Sequence, residues 1–242
     1  MWGNPAQDYA SARAALAIEV GRAAGIQAGD SVLSLACAAG DELQCWVQHF
    51  GAAQALGVDA DTSRVAQGNA RSKDRRIELR HASFAQLDSL GLRAASFDRV
   101  LCIDAAYHLR PRADFLRSAM ALLRPGGRLA YTDLSLEPRT GRWRAPLLRA
   151  AAGLCGLDAA ELLPLSAQRQ RLEGLGWQDV RVQPLDEAVL DGFASFVRRQ
   201  GDVAGAGPWA QGSLRPWLTA RLIAPCRSAG LGYALLAASR DA

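Results

Sequence analysis

The sequence lacks several features that would assign it to particular protein classes. No apolar run reaches about 18 residues, so we expect no membrane-spanning helix. The first residues show no basic region followed by an uninterrupted apolar stretch, and we expect no secretory signal peptide. Internal repeats and low-complexity linkers are also missing, and a length of 242 residues fits one large domain or one domain with a cap.

Cysteine is scarce and follows no recognisable spacing. The five cysteines lie at positions 37, 45, 102, 155 and 226. They form no C-x-x-C pair, and none lies at metal-ligand spacing from one of the three histidines. We therefore expect neither a metal site nor a disulfide framework, and a reduced, cytoplasmic setting is the simplest inference.

Lysine is almost absent, because Lys73 is the only one and arginine supplies the remaining positive charge. The net charge is +4 and the isoelectric point is near 9.0, but the arginines are spread along the chain and form no single basic stripe. The densest groups, Arg71–Arg80 and Arg139–Arg149, are interpreted as solvated faces. We expect no nucleic-acid partner.

What the sequence does contain is an alternation of helix-like and strand-like segments. A first helix is predicted for residues 8–24, where apolar residues recur at helical spacing up to Gly25. Strands are predicted at 32–36, 53–59, 77–80, 97–103 and after a Gly126–Gly127 turn. Helices are predicted after Gly40, at 63–72 and at 111–123. This alternation predicts parallel β-α-β units and hence a doubly wound α/β sheet.

The second half of the chain has a different character. Residues 137–165 contain no obvious strand and are predicted to form a helical cap. A helix follows at 166–175, and the segments WQDVRVQPL and LGYALLAAS are predicted to be closing strands. Between them, residues 186–200 form an amphipathic stretch. We interpret 1–242 as a single domain in which the first helix and the cap cover the site.

The segment SVLSLACAAGDE, from Ser31 to Glu42, joins a buried strand to a helix through a loop of small residues. It is interpreted as a cofactor-binding loop, with an ordinary structural turn as the alternative. Alanine at positions 36 and 38 allows close backbone approach provided that φ stays negative. Gly40, at the turn into the helix, is the residue expected to need the freedom of glycine.

Five segments in this order resemble the motifs of class I S-adenosylmethionine-dependent methyltransferases: VLSLACAAGDE, GVDAD, SFDRVLCIDAAYHL, RPGGRLAYTDL and LEGLGWQDVRV. The A-x-Y-H-L segment and PLDEAVLDGFASFV look most like the small-molecule branch that includes gamma-tocopherol methyltransferase. The resemblance implies a seven-stranded Rossmann-like sheet of order 3-2-1-4-5-7-6, with strand 7 antiparallel. It also implies S-adenosyl-L-methionine as the cofactor and S-adenosyl-L-homocysteine as the product.

The resemblance assigns roles around the loop. Asp59 ends the second strand and would accept both ribose hydroxyls, while Asp61 is free to cap the next helix. Ser34 stands where the family commonly carries an acid that positions the amino group of the cofactor, and Asp41 is the candidate to compensate.

The adenine contact is expected after the third strand. Ser83 would accept the hydrogen bond of the exocyclic amine, and Phe84 either faces the ring or belongs to the core. The complete set of predicted cofactor-binding residues is Ser34, Ala36, Cys37, Ala38, Gly40, Asp41, Asp59, Ala60, Ser83, Phe84 and Ile103.

The candidate catalytic residues follow the fourth strand. Methyl transfer from a sulfonium mainly needs alignment, and a base only where the acceptor must lose a proton. His108 is a base or a residue that fixes the loop, and Asp104 and Tyr107 orient it or line the acceptor pocket. Tyr131 and Asp133 are secondary pocket candidates.

Apolar and aromatic residues are expected to wall the acceptor pocket, including Tyr9, Phe193, Trp143 and Trp209. They favour a lipophilic or aromatic small molecule as the acceptor. One alternative is a catalytically silent cofactor-binding or scaffold protein, suggested by the altered loop. The other is a macromolecule methyltransferase, although the N/D-P-P-Y motif of amino methyltransferases that act on nucleic acid is absent.

Overall fold

A seven-stranded sheet forms the centre of the computed structural model, which describes residues 8–137, 144–154, 157–158, 160–202, 223 and 225–242. The helices and strands are α1 (Tyr9–Ala24), β1 (Ser31–Leu35), α2 (Asp41–His49), β2 (Gln54–Asp59), α3 (Thr62–Arg71), β3 (Ile77–His81), β4 (Phe97–Cys102), α4 (Arg112–Leu122), β5 (Leu123–Leu136), α5 (Arg144–Leu154), α6 (Leu165–Gly174), β6 (Gln178–Pro184), α7 (Gly192–Asp202) and β7 (Leu231–Ser239). Short 3₁₀ turns lie at Phe84–Leu90 and Ala106–His108, and a π-helical turn lies at Glu187–Asp191.

The strand order is β3-β2-β1-β4-β5-β7-β6, which confirms the predicted topology. Strands β1 to β5 pair in parallel, whereas β7 runs antiparallel to both β5 and β6. The order reverses at β1, which lies between β2 and β4. Ligands of such sheets bind beyond the carboxyl ends of the strands at this switch point, which is where the site is sought.

Helices cover both faces of the sheet and produce two separate apolar cores. Alternate residues of β1 point to opposite faces: Leu33 and Leu35 pack with α4 and α6, whereas Val32 packs with α1 and α2. Trp46 of α2 is fully buried, and its indole N–H donates to the Ala17 carbonyl of α1 at 2.8 Å. This contact fixes α1 against α2.

Local chemistry explains where α1 begins and ends. The Asp8 carboxylate accepts a hydrogen bond from the Ser11 N–H at 2.7 Å and caps the first turn. Gly25 follows the last turn with φ of 66°, a left-handed conformation that suits glycine. The predicted helix at 8–24 is confirmed as Tyr9–Ala24.

Two predicted strand boundaries were wrong. β1 ends at Leu35 and not at Ala36, because Ala36 has φ of 58° and leaves the extended conformation. β5 begins at Leu123, before the glycine pair that was predicted to precede it. Its register with β4 shifts between Phe97 and Arg99, so Gly126 and Gly127 lie in an irregularity within the strand.

Helix α5 lies inside the region predicted to be a cap. Its Leu148 and Ala152 form a small apolar cluster with Leu136 of β5 and Leu162. Trp143, Trp209 and parts of the predicted cap lie outside the described residues. In the part of the chain that the structure describes, no helix combines the length and apolar character needed to cross a membrane.

Candidate active site

The loop between β1 and α2 has a glycine-like backbone although two of its residues are alanine. Ala36 has φ of 58°, Ala38 has φ of 52° and Gly40 has φ of 73°. The expectation that the alanines keep a negative φ was therefore wrong, whereas the need for glycine's freedom at Gly40 is confirmed. A left-handed alanine costs about 1–2 kcal/mol, so the surrounding contacts must hold this conformation.

Hydrogen bonds from the neighbouring strand hold the loop in this shape. The Cys37 N–H donates to the Val58 carbonyl at 3.1 Å, and the Ala38 N–H donates to the Asp59 carboxylate at 2.6 Å. The Gly40 N–H closes a turn onto the Cys37 carbonyl at 2.9 Å. Two of these three bonds are made to the end of β2, so the loop and β2 form one unit.

Asp59 lies at the carboxyl end of β2 and is 8% exposed. One carboxylate oxygen accepts the Ala38 N–H, and the other accepts the Asp61 N–H at 2.9 Å. Each oxygen keeps a further lone pair, so the carboxylate can still accept hydroxyl groups. Asp61 itself caps α3 by accepting from the N–H groups of Ser63 and Arg64, as predicted.

Ser34 and Asp41 have different surroundings from those expected. Ser34 is fully buried, and its hydroxyl donates to the Glu42 carboxylate at 3.1 Å. Asp41 forms ion pairs at the surface, with Arg13 at 2.9 Å and with Arg71 at 2.7 Å. The acid beside Ser34 is therefore Glu42 and not Asp41. The prediction missed Glu42, because only its position in the first turn of α2 hinted that it could reach back to β1.

Three further residues predicted to bind the cofactor, Cys37, Ser83 and Phe84, have different surroundings. The Cys37 side chain is buried beneath β2: a Cβ added at Gly57 would lie 2.6 Å from its sulfur. Burial raises the pKa of this thiol, so only the backbone of Cys37 is available to a ligand. Ser83 donates to the Gln86 side chain at 3.0 Å, and Phe84 packs edge-on against Phe115 at 6.2 Å.

Two further residues in the predicted cofactor set flank the strand ends. The Ala60 carbonyl lies 3.1 Å from Nε2 of His81, and this contact links the end of β2 to β3. Ile103 directly follows β4 and packs, partly buried, against the core on the α1 and α2 side. Both lie at carboxyl ends of strands, at the edge where the loop and Asp59 are found.

A cavity of about 670 Å³ opens beside α1, at the carboxyl ends of β4 and β5. Its walls are mostly apolar, with a smaller set of polar groups. The apolar lining residues are Ala12, Leu16, Leu134, Leu148, Ala151, Ala152, Leu157, Leu162, Val189, Leu190, Phe193, Ile223 and Leu231. The polar and aromatic ones are Tyr9, Arg13, Asp104, Tyr107, His108, Arg112, Asp133, Asp158, Glu161, Cys226 and Tyr233. All three predicted catalytic residues are thus brought into one cavity.

Asp104 lines this cavity in a strained conformation, with φ of 52°. Its N–H donates to the Thr132 hydroxyl at 2.8 Å, and its carboxylate accepts a short hydrogen bond from the Tyr233 hydroxyl. Burial raises the pKa of Asp104 above its usual value, and the bond from Tyr233 opposes that shift. Tyr233 was missed, although it is the one polar aromatic residue in the apolar segment of β7.

His108 and Tyr107 follow in the 3₁₀ turn after β4, and their rings pack edge to face at 4.7 Å. Burial lowers the pKa of His108 from its usual value, and the nearby charges of Arg110 and Arg112 lower it further. These surroundings favour the neutral imidazole, which can accept a proton. Burial raises the pKa of Tyr107, so its hydroxyl stays protonated.

A buried ion pair borders the same cavity. Arg112 of α4 contacts Asp133 of β5 through two nitrogens, at 3.0 and 3.1 Å, and both side chains are buried. Burial raises the pKa of Asp133 to about 7, while the charge of Arg112 opposes the shift. The other secondary candidate, Tyr131, does not line the cavity: it is buried in the core against Phe115.

Comparison with known proteins finds a matching domain and similar proteins. The family described as "Methyltransferase domain" matches residues 32–127, which span the loop, Asp59 and β4. The chain is 29% identical over 191 residues to the erythromycin 3''-O-methyltransferase of Saccharopolyspora erythraea, covering 76% of this chain and 62% of that protein. The methyltransferase GfsG of Streptomyces halstedii is 28% identical over 187 residues, covering 73% of this chain and 66% of that protein.

Residues 32–127 match a methyltransferase domain, and the strand order of the chain is that of class I S-adenosylmethionine-dependent methyltransferases. The five motifs in order and these relatives support the same family, whose cofactor is S-adenosyl-L-methionine. The chain spans less than two thirds of the length of the two relatives described above.

The fold alone leaves the chemistry open. The solved structure of SpnF, described as a [4+2]-cyclase, shares the fold with a TM-score of 0.75 and 16% identity, over 99% of this chain and 85% of that one. Function must therefore be argued from the site. The residues present fit the family cofactor, because Asp59 offers two acceptor oxygens to a ribose diol and the loop presents its backbone without large side chains.

Proposed function

We propose that this protein transfers the methyl group of S-adenosyl-L-methionine to a lipophilic or aromatic small-molecule acceptor. The observation that carries the proposal is the cavity of about 670 Å³. It is largely apolar, and Asp104, Tyr107 and His108 are among its polar and aromatic lining residues. A cavity of this size and lining suits a small metabolite. The similarity to a protein named as an erythromycin 3''-O-methyltransferase supports the same class of acceptor.

The cofactor, when bound, supplies an electrophilic methyl group on a sulfonium that leaves as a neutral thioether. In our proposal Asp59 accepts hydrogen bonds from the ribose hydroxyls. The loop from Ala36 to Gly40 brings its backbone close to the ligand, and Ser83 and Phe84 border the adenine. What the protein contributes to the reaction is mainly the alignment of the two reactants.

On the acceptor side we propose His108 as the base for acceptors that must lose a proton. Its neutral imidazole takes the proton as the acceptor attacks, and alignment supplies the remaining rate enhancement. Asp104 and Tyr107 would orient the acceptor, with Asp104 held in place by Tyr233 and Thr132.

A small-molecule acceptor is favoured over nucleic acid because several arginines of the densest basic patch are paired. Arg76 binds Asp74 at 2.7 Å, Arg80 binds Glu78 at 2.7 Å and Arg71 binds Asp41. These ion pairs reduce the positive charge available to phosphates.

We also propose a cytoplasmic location, which the buried thiols of Cys37 and Cys102 support. Fractionation of cells that express the tagged protein would test it.

The test combines binding and transfer. Titration calorimetry should show S-adenosyl-L-homocysteine binding to the wild-type protein, weakened by about 1–3 kcal/mol in Asp59→Asn. The matched control, Glu78→Gln in β3, should bind normally. A metabolite extract incubated with methyl-labelled cofactor should then yield a labelled small molecule.

Other outcomes would redirect the assignment. Binding without transfer to any fraction would indicate a catalytically silent cofactor-binding protein. Label that appears in RNA or protein and not in small molecules would indicate a macromolecule methyltransferase. If Asp59→Asn binds as well as the wild type, Asp59 does not belong to the site.

A further inference from the structure

Arg227 lies beside the cavity that the proposed function assigns to the acceptor, and the proposed chemistry gives it no role. It belongs to a short helical segment at 225–229, just before β7. Cys226 and Leu231, which precede and follow it in the sequence, line the cavity. The Arg227 side chain is only 16% exposed, and a charged group so far from water needs partners.

The guanidinium of Arg227 contacts three carboxylates and a carbonyl from different parts of the chain. Its Nη1 donates to Oε1 of Glu137, directly after β5, at 2.6 Å, and to the Leu231 carbonyl of β7 at 2.8 Å. Its Nε donates to Oδ1 of Asp191, the last residue of the π-helical turn, at 3.4 Å. Asp186, just before that turn, lies 3.9 Å from Nη1. One side chain therefore connects β5, β7 and the π-helical turn.

Arg227 is also the charge that balances these carboxylates. Among the residues that the structure describes, no other basic side chain lies within 4 Å of Glu137, Asp186 or Asp191. Three like charges repel one another, and more strongly in a partly buried site than in water. Loss of the guanidinium would therefore remove the attraction and leave a repulsion that separates the connected elements.

The elements that Arg227 connects contribute apolar parts of the cavity wall. Leu190 belongs to the π-helical turn, Leu134 belongs to β5, and Leu231 begins β7. Cys226 lines the cavity from the helical segment itself. The contacts of Arg227 thus hold four pieces of the wall against one another, and the cofactor loop takes no part in these contacts.

We propose that Arg227 is a positioning residue that holds the acceptor cavity closed around its ligand. This inference rests on the proposed function, because it concerns the same cavity. Arg227 is not among the residues that line the cavity, and it acts through the apolar residues of the elements that it connects. While its ion pairs are intact, an apolar ligand leaves slowly. When they are lost, the wall opens more often and the ligand dissociates faster, with the cofactor loop undisturbed.

The experiment uses stopped-flow fluorescence to measure how fast the apolar dye Nile red leaves the cavity. Arg227→Met keeps an aliphatic side chain but removes the ion pairs, and Nile red should dissociate about 10-fold faster. S-adenosyl-L-homocysteine should bind this variant as tightly as the wild type in titration calorimetry. Arg227→Lys keeps the charge without the guanidinium fork, so its rate should lie between the two. The matched control is Arg181→Met on β6, which loses an exposed ion pair with Asp179 and should change neither quantity.

Ionic strength gives a second readout, which a purely structural role of Arg227 would not produce. The side chains of Glu137 and Asp191 are 41% and 48% exposed, so salt screens their attraction for the guanidinium. Raising NaCl from about 0.05 M to about 0.5 M should speed dissociation of Nile red from the wild type roughly two- to fivefold. The same change should have little effect on Arg227→Met. Asp191→Asn removes one ion pair at a half-exposed position and should also speed dissociation.

The outcomes separate this inference from the proposed function. Equal dissociation rates for Arg227→Met and wild type overturn the inference, and so does a loss of affinity for S-adenosyl-L-homocysteine in this variant, which would indicate a general loosening of the fold. If Arg227→Met does not fold, a wild-type rate that is independent of salt, together with an unchanged rate for Asp191→Asn, overturns it.

A control variant tests whether the dye occupies the cavity. Ala151 lines it, so Ala151→Trp should fill part of the space and abolish binding of Nile red. If this variant holds the dye as the wild type does, or if the wild type does not bind the dye, the cavity does not retain apolar molecules and the inference is overturned. A wild-type protein that does not bind S-adenosyl-L-homocysteine contradicts the proposed function itself.

Discussion

Ala36 and Ala38 hold the cofactor loop in a backbone conformation that favours glycine. Their φ angles of 58° and 52° put both residues in the left-handed region of backbone conformation, where alanine is strained by about 1–2 kcal/mol. The loop tolerates this because the end of β2 binds it through the Val58 carbonyl and the Asp59 carboxylate. The two alanines are therefore strained, and contacts with the end of β2 hold them in this conformation.

Ala38→Gly should accordingly raise the free energy of unfolding by about 1 kcal/mol, because glycine adopts this φ without strain. Denaturant unfolding measures the change, and cofactor affinity should stay equal or improve. Ala38→Val should lower stability and block binding, since a β-branched residue at positive φ is strained further. Ala39→Gly, in the same loop but without positive φ, is the control and should not stabilise. If both glycine variants behave alike, strain at Ala38 is not the cause.

His108 is the residue to which the proposed mechanism gives proton transfer. His108→Gln should lower turnover by roughly 10²–10⁴-fold with cofactor affinity nearly unchanged. The wild-type rate should fall in acid, because a protonated His108 cannot accept a proton. Burial and the neighbouring arginines lower the pKa of His108, so the fall should lie at a lower pH than for an ordinary histidine. Steady-state kinetics between pH 5 and pH 8 would detect both effects. Retained activity with the same pH profile would assign His108 to the architecture of the turn after β4.

At the scale of elements, close packing of α3 against the cofactor loop depends on Gly68. A Cβ added there would lie 2.6 Å from Leu79 and 2.7 Å from the Ala39 carbonyl. The second contact is with loop backbone, which cannot rotate away as a side chain would. The position of α3 and the shape of the loop are therefore coupled through one glycine.

Gly68→Ala should destabilise the protein by about 1–3 kcal/mol despite the better helix propensity of alanine. It should also weaken S-adenosyl-L-homocysteine binding, because Ala39 must move. Gly153→Ala in α5 is the control: no atom lies within 4 Å of its added Cβ, so about 0.5–1 kcal/mol of stabilisation is expected. Thermal unfolding and calorimetry of both variants check this, and a neutral Gly68→Ala would disprove the coupling.

At the scale of the whole molecule, the site is assembled from α1, the strand ends, α5 and β7, which are far apart in the chain. A ligand that binds there stabilises only the folded state. At a concentration of about 100 Kd, S-adenosyl-L-homocysteine should add about 2.7 kcal/mol and raise the melting temperature by roughly 5–10 °C. Differential scanning fluorimetry over a ligand series measures this; adenine alone should give a smaller shift. A melting temperature independent of ligand concentration would contradict binding.

Much of this architecture could be predicted from the sequence, because its determinants are local. The apolar periodicity that ends at Gly25 predicted α1, and the small residues from Ala36 to Gly40 predicted the loop. Asp61 was correctly assigned as the cap of α3, because a capping side chain binds N–H groups only two or three residues further along the chain. Resemblance in five ordered motifs then supplied the strand order, which periodicity alone does not determine.

Only the tertiary structure decided the partners of the buried polar groups. Three pairs join different elements: Ser34 with Glu42, Arg112 with Asp133, and Asp104 with Tyr233. The last two residues are 129 positions apart in the sequence. Such pairs depend on which side chains the sheet brings together at one edge, and local spacing carries no information about that. The sequence by itself therefore determined the fold and the resemblance to a family, whereas long-range packing determined which partner each buried acid has.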